Sequence, residues 1–342
     1  MNKQIKVRRV IRETPDAITV VLEPDPWIDH YKPGQFINVS AQVLGEVISR
    51  SYSFSSTPGV DDFPAITIKR VANGRLSTQL VENLKPEMLL ETSQPMGRFA
   101  LKEDAEHSGG LLFIAGGSGI TPLFSMIKSV LKTKPEKSIK LIYANKNEQS
   151  IIFLDQLQRL AKESSGQFEV IHLLETLASE NLLGAKKGRV NAEVLVEALG
   201  DVPSFSAVYL CGPQGMMESA CLSLNDLGVD PSQIYQESFS AFNTTTAPIN
   251  EGVARVTIIK ENGSEQITIP KNQLVLNAIL NAGIELPYSC KEAMCGTCRV
   301  KLVSGKLVMN ENYALTDEML NSGFVLPCSG LAVTDELTIS YL

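Results

Sequence analysis

Long apolar runs are missing from this chain of 342 residues. The longest, Leu111–Ala115 and Ala207–Cys211, fall far short of the roughly 20 residues a membrane helix needs. The N-terminus, MNKQIKVRRV, has no apolar centre of the kind a secretion signal carries. A soluble, cytoplasmic protein without a membrane span is therefore expected. Positive charge is not in excess: 31 Lys and Arg face 38 Asp and Glu, and a net charge of −7 argues against a nucleic-acid partner. Histidine is scarce, and His30, His107 and His172 have no second histidine or cysteine at ligand spacing, so none is proposed as catalytic. Low-complexity tracts and internal repeats are absent, and the basic pair Lys186-Lys187 reads as a solvated loop. What remains is 44% hydrophobic and 20% charged, the composition of a globular protein, and long enough for two or three domains.

The patterning changes twice along the chain. Residues 1–104 hold short alternating runs (Ile18–Leu22, Gln35–Val39, Ala65–Val71) separated by Pro33-Gly34, Pro58-Gly59 and Asn73-Gly74, which predicts an antiparallel β-barrel or sandwich. Residues 105–240 contain largely apolar strands at Leu111–Ala115, Ser138–Ala144, Phe168–Leu174 and Ala207–Cys211. Helical patterns lie near 122–132, 150–162, 191–199 and 214–227, so a parallel α/β sheet covered on both faces is expected. Ala241–Gly252 is polar, small and unpatterned and is taken as a linker. Residues 253–342 carry a hairpin signal, with Val253–Ile259 and Gln266–Ile269 flanking Asn262-Gly263. A helix follows at about 273–282, stopped by Gly283, then a second hairpin around Ser304-Gly305 and a last strand at Leu337–Ser340, together suiting a β-grasp domain.

Four of the six cysteines lie in that last segment: Cys290, Cys295, Cys298 and Cys328, spaced C-x4-C-x2-C-x29-C. Three thiolates on one loop and a fourth from far downstream match the ligand pattern of a plant-type 2Fe–2S ferredoxin. Small residues Ala293, Gly296 and Thr297 would let the backbone wrap such a cluster and direct N–H groups at its sulfur. A structural zinc site is the alternative, but zinc usually pairs two short knuckles, and Cys328 stands alone in Leu326-Pro327-Cys328-Ser329. Cys211 and Cys221, in a strand-like and a helix-like segment, read as buried thiols of a reducing compartment.

Two further signals point to nucleotide binding. Arg50, Ser51, Tyr52 and Ser53 end a strand, and a flavin needs a cation for its phosphate, a flat surface for its ring and a hydrogen bond at N5. Gly74-Arg75-Leu76-Ser77 opens a short helix whose free N–H groups, with Ser77 and Thr78, would hold a pyrophosphate; the alternative is that Tyr52 only packs and Ser77 only caps. Downstream, a strand runs into Gly116-Gly117-Ser118-Gly119-Ile120-Thr121-Pro122 and a helix, the placement of a dinucleotide loop, although G-x-G-x-x-P departs from the ordinary fingerprint. Tight strand–helix packing alone would also explain these glycines. Cys211-Gly212-Pro213 closes a later strand of the same sheet, which would put Cys211 beside a nicotinamide; otherwise it is a small buried hydrophobe.

Taken in order, Arg50–Ser53, Gly74–Ser77, Gly116–Pro122, Cys211–Pro213 and the four cysteines resemble the ferredoxin–NADP reductase superfamily with a C-terminal ferredoxin domain. Leu141–Lys146, Ser150–Phe153, Asn312–Leu315 and Gly323–Cys328 are similar to the subgroup that serves phenylacetyl-CoA epoxidase. The resemblance implies FAD on the barrel, NADPH or NADH on the α/β domain and a 2Fe–2S cluster at the end. Electrons would pass to an oxygenase, or to another acceptor such as a hybrid-cluster protein or a desaturase. A carrier or sensor that does not turn over is the competing class. The resemblance further implies that Lys69, Asn145, Lys146 and Phe239 join the cofactor-binding residues. Ser53 would bond the flavin N5, Cys211 shape the nicotinamide pocket, and Glu237, in Gln236-Glu237-Ser238-Phe239, handle a proton; a surface carboxylate is the alternative for Glu237. Two departures stand out. Ala293 occupies a position usually held by glycine, and Lys146 stands where arginine often follows the asparagine, replacing a forked 2′-phosphate grip with a point charge.

Overall fold

The structure, a computed structural model, describes residues 2–102, 109–178, 184–199, 205–237, 239, 252–288, 290, 291, 293 and 295–341. The chain divides into two compact units, one of residues 1–47, 52–95 and 99–240, the other of residues 48–51, 96–98 and 241–342. The expected linker, Ala241–Gly252, lies outside the described residues apart from Gly252, as does His107.

Six strands build the N-terminal sheet: β1 (Lys3–Thr14), β2 (Ala17–Leu22), β3 (Phe36–Val43), β4 (Glu46–Ser53), β5 (Ala65–Lys69) and β6 (Leu89–Thr92), in the order β4-β3-β6-β1-β2-β5. The pairings β1–β2, β1–β6, β2–β5 and β3–β6 are antiparallel, and an antiparallel bridge between Phe54 and Ile66 links the end of β4 to β5. Helix α1 (Arg75–Asn83) follows β5. Its amphipathic pattern buries Leu76, Leu80 and Val81, and its N-cap is Gly74, whose missing side chain leaves the first N–H groups without a side-chain cap. Ser77 does not cap this helix; its hydroxyl accepts the Val71 N–H at 3.1 Å.

The second sheet is parallel: β7 (Gly110–Gly116), β8 (Ile139–Asn145), β9 (Phe168–Leu174), β10 (Lys186–Lys187), β11 (Phe205–Cys211) and β12 (Ile234–Glu237), in the order β10-β9-β8-β7-β11-β12. Helices α2 (Ile120–Thr133), α3 (Leu154–Glu163), α4 (Ala192–Leu199) and α5 (Gln214–Asp226) alternate with these strands. Every residue of β11 is buried and Leu111–Gly116 of β7 likewise, because a central parallel strand is covered on both faces. Lys186-Lys187, read from sequence as a solvated loop, instead pairs with Leu173 and Leu174. Two isolated lysines carry no periodicity that would announce a strand. The order reverses at β7: β8 to β10 lie on one side and β11, β12 on the other, which opens a crevice at the carboxyl ends of β7 and β11.

The C-terminal segment contains β13 (Val253–Lys260), β14 (Gly263–Pro270), α6 (Val275–Asn281), β15 (Val300–Ser304), β16 (Leu307–Met309), α7 (Asp317–Asn321), β17 (Phe324–Val325), β18 (Gly330–Ala332) and β19 (Glu336–Ser340). A mixed sheet β14-β13-β19-β15-β17 and a two-stranded sheet β16-β18 accompany α6. Gly283, at φ +78°, ends that helix turn with its N–H on the Leu280 carbonyl. The first hairpin forms one residue earlier than read: Lys260 faces Gly263, so Glu261 and Asn262 make the turn. The second does not form. Gly305 (φ +85°) turns the chain from β15 into β16, which pairs with β18 in another sheet, and a Cβ at Gly305 would strike the Glu336 carbonyl oxygen. A serine–glycine step marks a reversal but says nothing of which strand becomes the partner.

Candidate functional site

A cleft of about 700 Å³ opens at the sheet reversal, lined among others by Lys69, Gly116, Gly117, Asn145, Lys146 and Pro213. Its floor is two interlocked glycine turns. A Cβ on Gly119 would strike the Cys211 carbonyl, and one on Gly116 would come within 2.6 Å of Pro213 Cδ and 2.7 Å of Met216 Sδ. No side chain fits there, so the loops after β7 and β11 touch backbone to backbone. Gly117 is left-handed at φ +52°, and the Lys69 ammonium lies 3.6 Å from where its Cβ would be. Thr121 is buried and donates its hydroxyl to the Ser118 carbonyl at 3.0 Å, so that side chain holds the turn. Asn145 is 8% exposed, and neither amide atom makes a well-formed hydrogen bond, although the Tyr143 hydroxyl lies nearby. A buried amide left unbonded costs roughly 1–3 kcal/mol, which a polar ligand in the cleft would recover.

Ser53, Cys211 and Glu237 come together at strand ends. Cys211 and Glu237 are register partners on β11 and β12, and the Ser53 hydroxyl at the end of β4 lies near the Glu237 carboxyl. All three are buried, and neither Ser53 Oγ nor Glu237 Oε2 makes a well-formed hydrogen bond. Burial pushes the Glu237 carboxyl up to about 8, with the Ser53 hydroxyl offsetting part of the effect. The Cys211 thiol rises well above its ordinary value through burial and the neighbouring Glu237, so it stays a neutral thiol. The surface-carboxylate alternative for Glu237 is thereby excluded. Phe239 is 38% exposed.

Among the described residues, backbone N–H groups point at three of the four cysteine sulfurs of the C-terminal segment. The N–H groups of Cys290 and Thr297 point at Cys295 Sγ (3.5 Å each), that of Cys295 at Cys290 Sγ (3.3 Å) and that of Ala293 at Cys328 Sγ (3.3 Å). The turn needed for this is left-handed at Lys291 (φ +59°), Ala293 (φ +57°) and Gly296 (φ +64°). Hydrogen bonding from Cys290 and from Thr297 depresses the Cys295 thiol, while the Cys298 thiol is the main influence raising Cys328. The thiols therefore face each other as Cys290 with Cys295 and Cys298 with Cys328. Among the described residues no three His, Cys, Asp or Glu side chains gather as the ligands of one metal ion would. Two thiol pairs suit two irons better than one tetrahedral zinc.

Comparison with known proteins identifies the domains. The chain matches an oxidoreductase FAD-binding domain over residues 7–101, an oxidoreductase NAD-binding domain over 113–222 and a 2Fe–2S iron–sulfur cluster binding domain over 259–333. It is 32% identical to a subunit of the 1,2-phenylacetyl-CoA epoxidase of Escherichia coli K12, across 98% of this chain and 97% of that one. It is 31% identical to the ferredoxin reductase component of 3-ketosteroid-9-alpha-monooxygenase of Rhodococcus rhodochrous, across 98% and 96%. The chain belongs to the ferredoxin–NADP reductase superfamily, in the branch with a 2Fe–2S domain. The fold of this reductase is that of phthalate dioxygenase reductase, with a TM-score of 0.58 over 99% of this chain and 98% of the other at 24% identity. It is an oxidoreductase with FAD-binding, NAD-binding and 2Fe–2S domains.

Along β4 of the reductase, Arg50 is exposed, Ser51 and Tyr52 half-buried and Ser53 buried, a gradient from solvent to core. Arg50 donates to the Ser49 carbonyl at 2.8 Å. Thr78 and Gly74 are joined by the first helical bond of α1. Sequence reasoning missed Glu175, Gly188, Arg189, Met216 and Ser219, which also line the cleft. Arg189 is clasped by Glu175, with Nε at 2.9 Å and Nη2 at 2.8 Å from one carboxylate oxygen. Gly188 (φ +146°), after a strand, was the one local signal for this corner.

Proposed function

We propose that this reductase is the electron-supplying component of an oxygenase of the phenylacetyl-CoA epoxidase type, with NADPH as donor. The observation that carries the enzymatic reading is the buried trio Ser53, Cys211 and Glu237 beside the glycine-walled cleft, where orphaned polar atoms await a ligand. Bound FAD would take a hydride from the nicotinamide, and the 2Fe–2S centre would pass electrons singly to the acceptor. The chain's own residues do the positioning. Lys69 and the turn Gly116–Gly119 receive the dinucleotide diphosphate, and Asn145 receives the adenosine end, with Lys146 supplying charge for a 2′-phosphate. Arg50, Ser51 and Tyr52, with Gly74, Leu76, Ser77 and Thr78 of α1, hold the flavin. Ser53 offers its hydroxyl to N5. Glu237, protonated at neutral pH, holds a proton there, and Cys211, Gly212, Pro213, Pro122 and Phe239 shape the nicotinamide space. Cys290, Cys295, Cys298 and Cys328 bind the irons.

The domain limits at 104 and 252 are part of the same proposal, supported by matched segments that end at 101 and begin at 259. A cytoplasmic location is a further part of the proposal; among the described residues no helix is long and apolar enough to cross a membrane. The choice of acceptor rests on the similarity to the E. coli epoxidase protein, and the ketosteroid monooxygenase reductase at 31% identity supports a second reading in which another oxygenase is served. Pairing the purified reductase with the oxygenase parts of each system decides between them. Coupled NADPH consumption and product formation with the epoxidase but not the steroid oxygenase is expected; the opposite pattern rejects the proposed client.

A further inference from the structure

We infer that Tyr143 is a positioning residue for dinucleotide binding: its buried hydroxyl fixes the Gly117–Ser118 peptide so that the Ser118 N–H is turned toward the diphosphate. The inference rests on the reading that the cleft between β7 and β11 takes a dinucleotide.

Tyr143 lies on β8 opposite Ala115 of β7 and is wholly buried. From the sequence it is one more apolar residue of a central strand. Its hydroxyl, however, donates to the Gly117 carbonyl at 3.0 Å, across to the loop, with the Asn145 amide and the Ile152 N–H beside it. Gly117 is the left-handed residue of that loop, and it lines the cleft with Lys69 and Gly116. In a trans peptide the carbonyl and the following N–H point in opposite directions. Holding the Gly117 oxygen back against β8 therefore turns the Ser118 N–H away from the sheet. The next peptide is held in the same way, by Thr121 Oγ1 on the Ser118 carbonyl at 3.0 Å. Two hydroxyls thus join the Ile120 N–H, which is directed at the same two carbonyls, in holding these consecutive peptides, and the N–H groups on the other edge form a concave donor surface for an anion beside the Lys69 ammonium. Glycines allow this conformation, and the Tyr143 hydroxyl adds to it a bond from β8 that the turn's own backbone cannot supply. Tyr209 on β11 shows the contrast, since its equally buried hydroxyl accepts the Lys102 N–H at 3.1 Å and plays no part in the loop.

The test is Tyr143→Phe in the full-length reductase loaded with FAD and cluster. Binding of NADP⁺, which carries the diphosphate, and of 2′-AMP, which does not, is measured by titration calorimetry beside steady-state kinetics. Loss of one aligned donor predicts about a tenfold rise in the NADP⁺ dissociation constant and in KM, with kcat and the 2′-AMP constant within about twofold. Amide exchange at Ser118 should quicken in the variant. Tyr143→Met, which fills much of the space without a hydroxyl, serves if the phenylalanine variant folds poorly. Unchanged NADP⁺ binding, or equal weakening for both ligands, overturns the assignment, because a residue that merely props the sheet would give one or the other. Failure of the unaltered reductase to bind either NADP⁺ or NAD⁺ is distinguishable from both and removes the cleft reading itself, and the proposal with it.

Discussion

Glu237 and Cys211 face each other in register across the parallel pair β11–β12, both buried, with the carboxyl held neutral by its surroundings. Its folded value is about 8 against 4.5 for an ordinary glutamate, so the folded state binds this proton more tightly. Stability from this group is complete at acidic pH and declines as pH rises from the ordinary value through the folded one. Glu237→Gln should flatten the fall in melting temperature between about pH 5 and pH 8, an effect on the order of a few kcal/mol. It should also slow NADPH-driven reduction of a one-electron dye by about tenfold or more. Wild-type dye reduction in the variant would remove Glu237 from the proton path.

Ala293 holds a left-handed turn that glycine adopts more easily, and its own N–H reaches Cys328 Sγ. Ala293→Gly should leave the visible spectrum of the cluster intact and lengthen its lifetime in air, the relieved strain being about 1 kcal/mol. Ala293→Val adds a branched side chain at a position 1% exposed and left-handed. It should fold with the cluster bands largely lost while the flavin band remains.

Glu175 pairs with Arg189 at the end of the cleft proposed to take the adenosine. Glu175→Gln frees the guanidinium to meet a 2′-phosphate. The ratio of kcat/KM for NADPH over NADH should rise about threefold to tenfold, a change of roughly 1 kcal/mol. Lys146→Ala should lower the same ratio. Parallel changes for both dinucleotides would place this corner away from the 2′ position.

Gly119 abuts the Cys211 carbonyl with no room for a methyl group. Gly119→Ala should separate the two glycine turns and cost about 1–3 kcal/mol of stability. Dinucleotide affinity should fall more than flavin affinity, which equilibrium titration of each would show.

Much of this was legible in the chain. The switch from alternating to continuous apolar strands located the change from antiparallel to parallel sheet, because burial on one face or two leaves different patterns. The glycine turn after β7 and the cysteine spacing were readable for a similar reason: both constrain consecutive residues. Partners set by long-range pairing were not. The turn at Gly305 looked like a hairpin, yet β16 found β18. Lys186 and Lys187 looked solvated, yet they extend the sheet edge. Arg189 and Glu175 are separated in sequence and meet only because β9 and β10 run side by side. Tyr143 has the sequence surroundings of a core residue, and only its hydroxyl bond to Gly117 reveals more.

The central claim is a route from dinucleotide through flavin to iron, and anaerobic addition of NADPH to the reconstituted reductase tests it most directly. The flavin band is expected to bleach within the first turnover, and the signal of a reduced 2Fe–2S cluster then to grow in by electron paramagnetic resonance. A bleached flavin with a cluster that stays oxidised, or protein holding zinc and no acid-labile sulfide at the four cysteines, would contradict it.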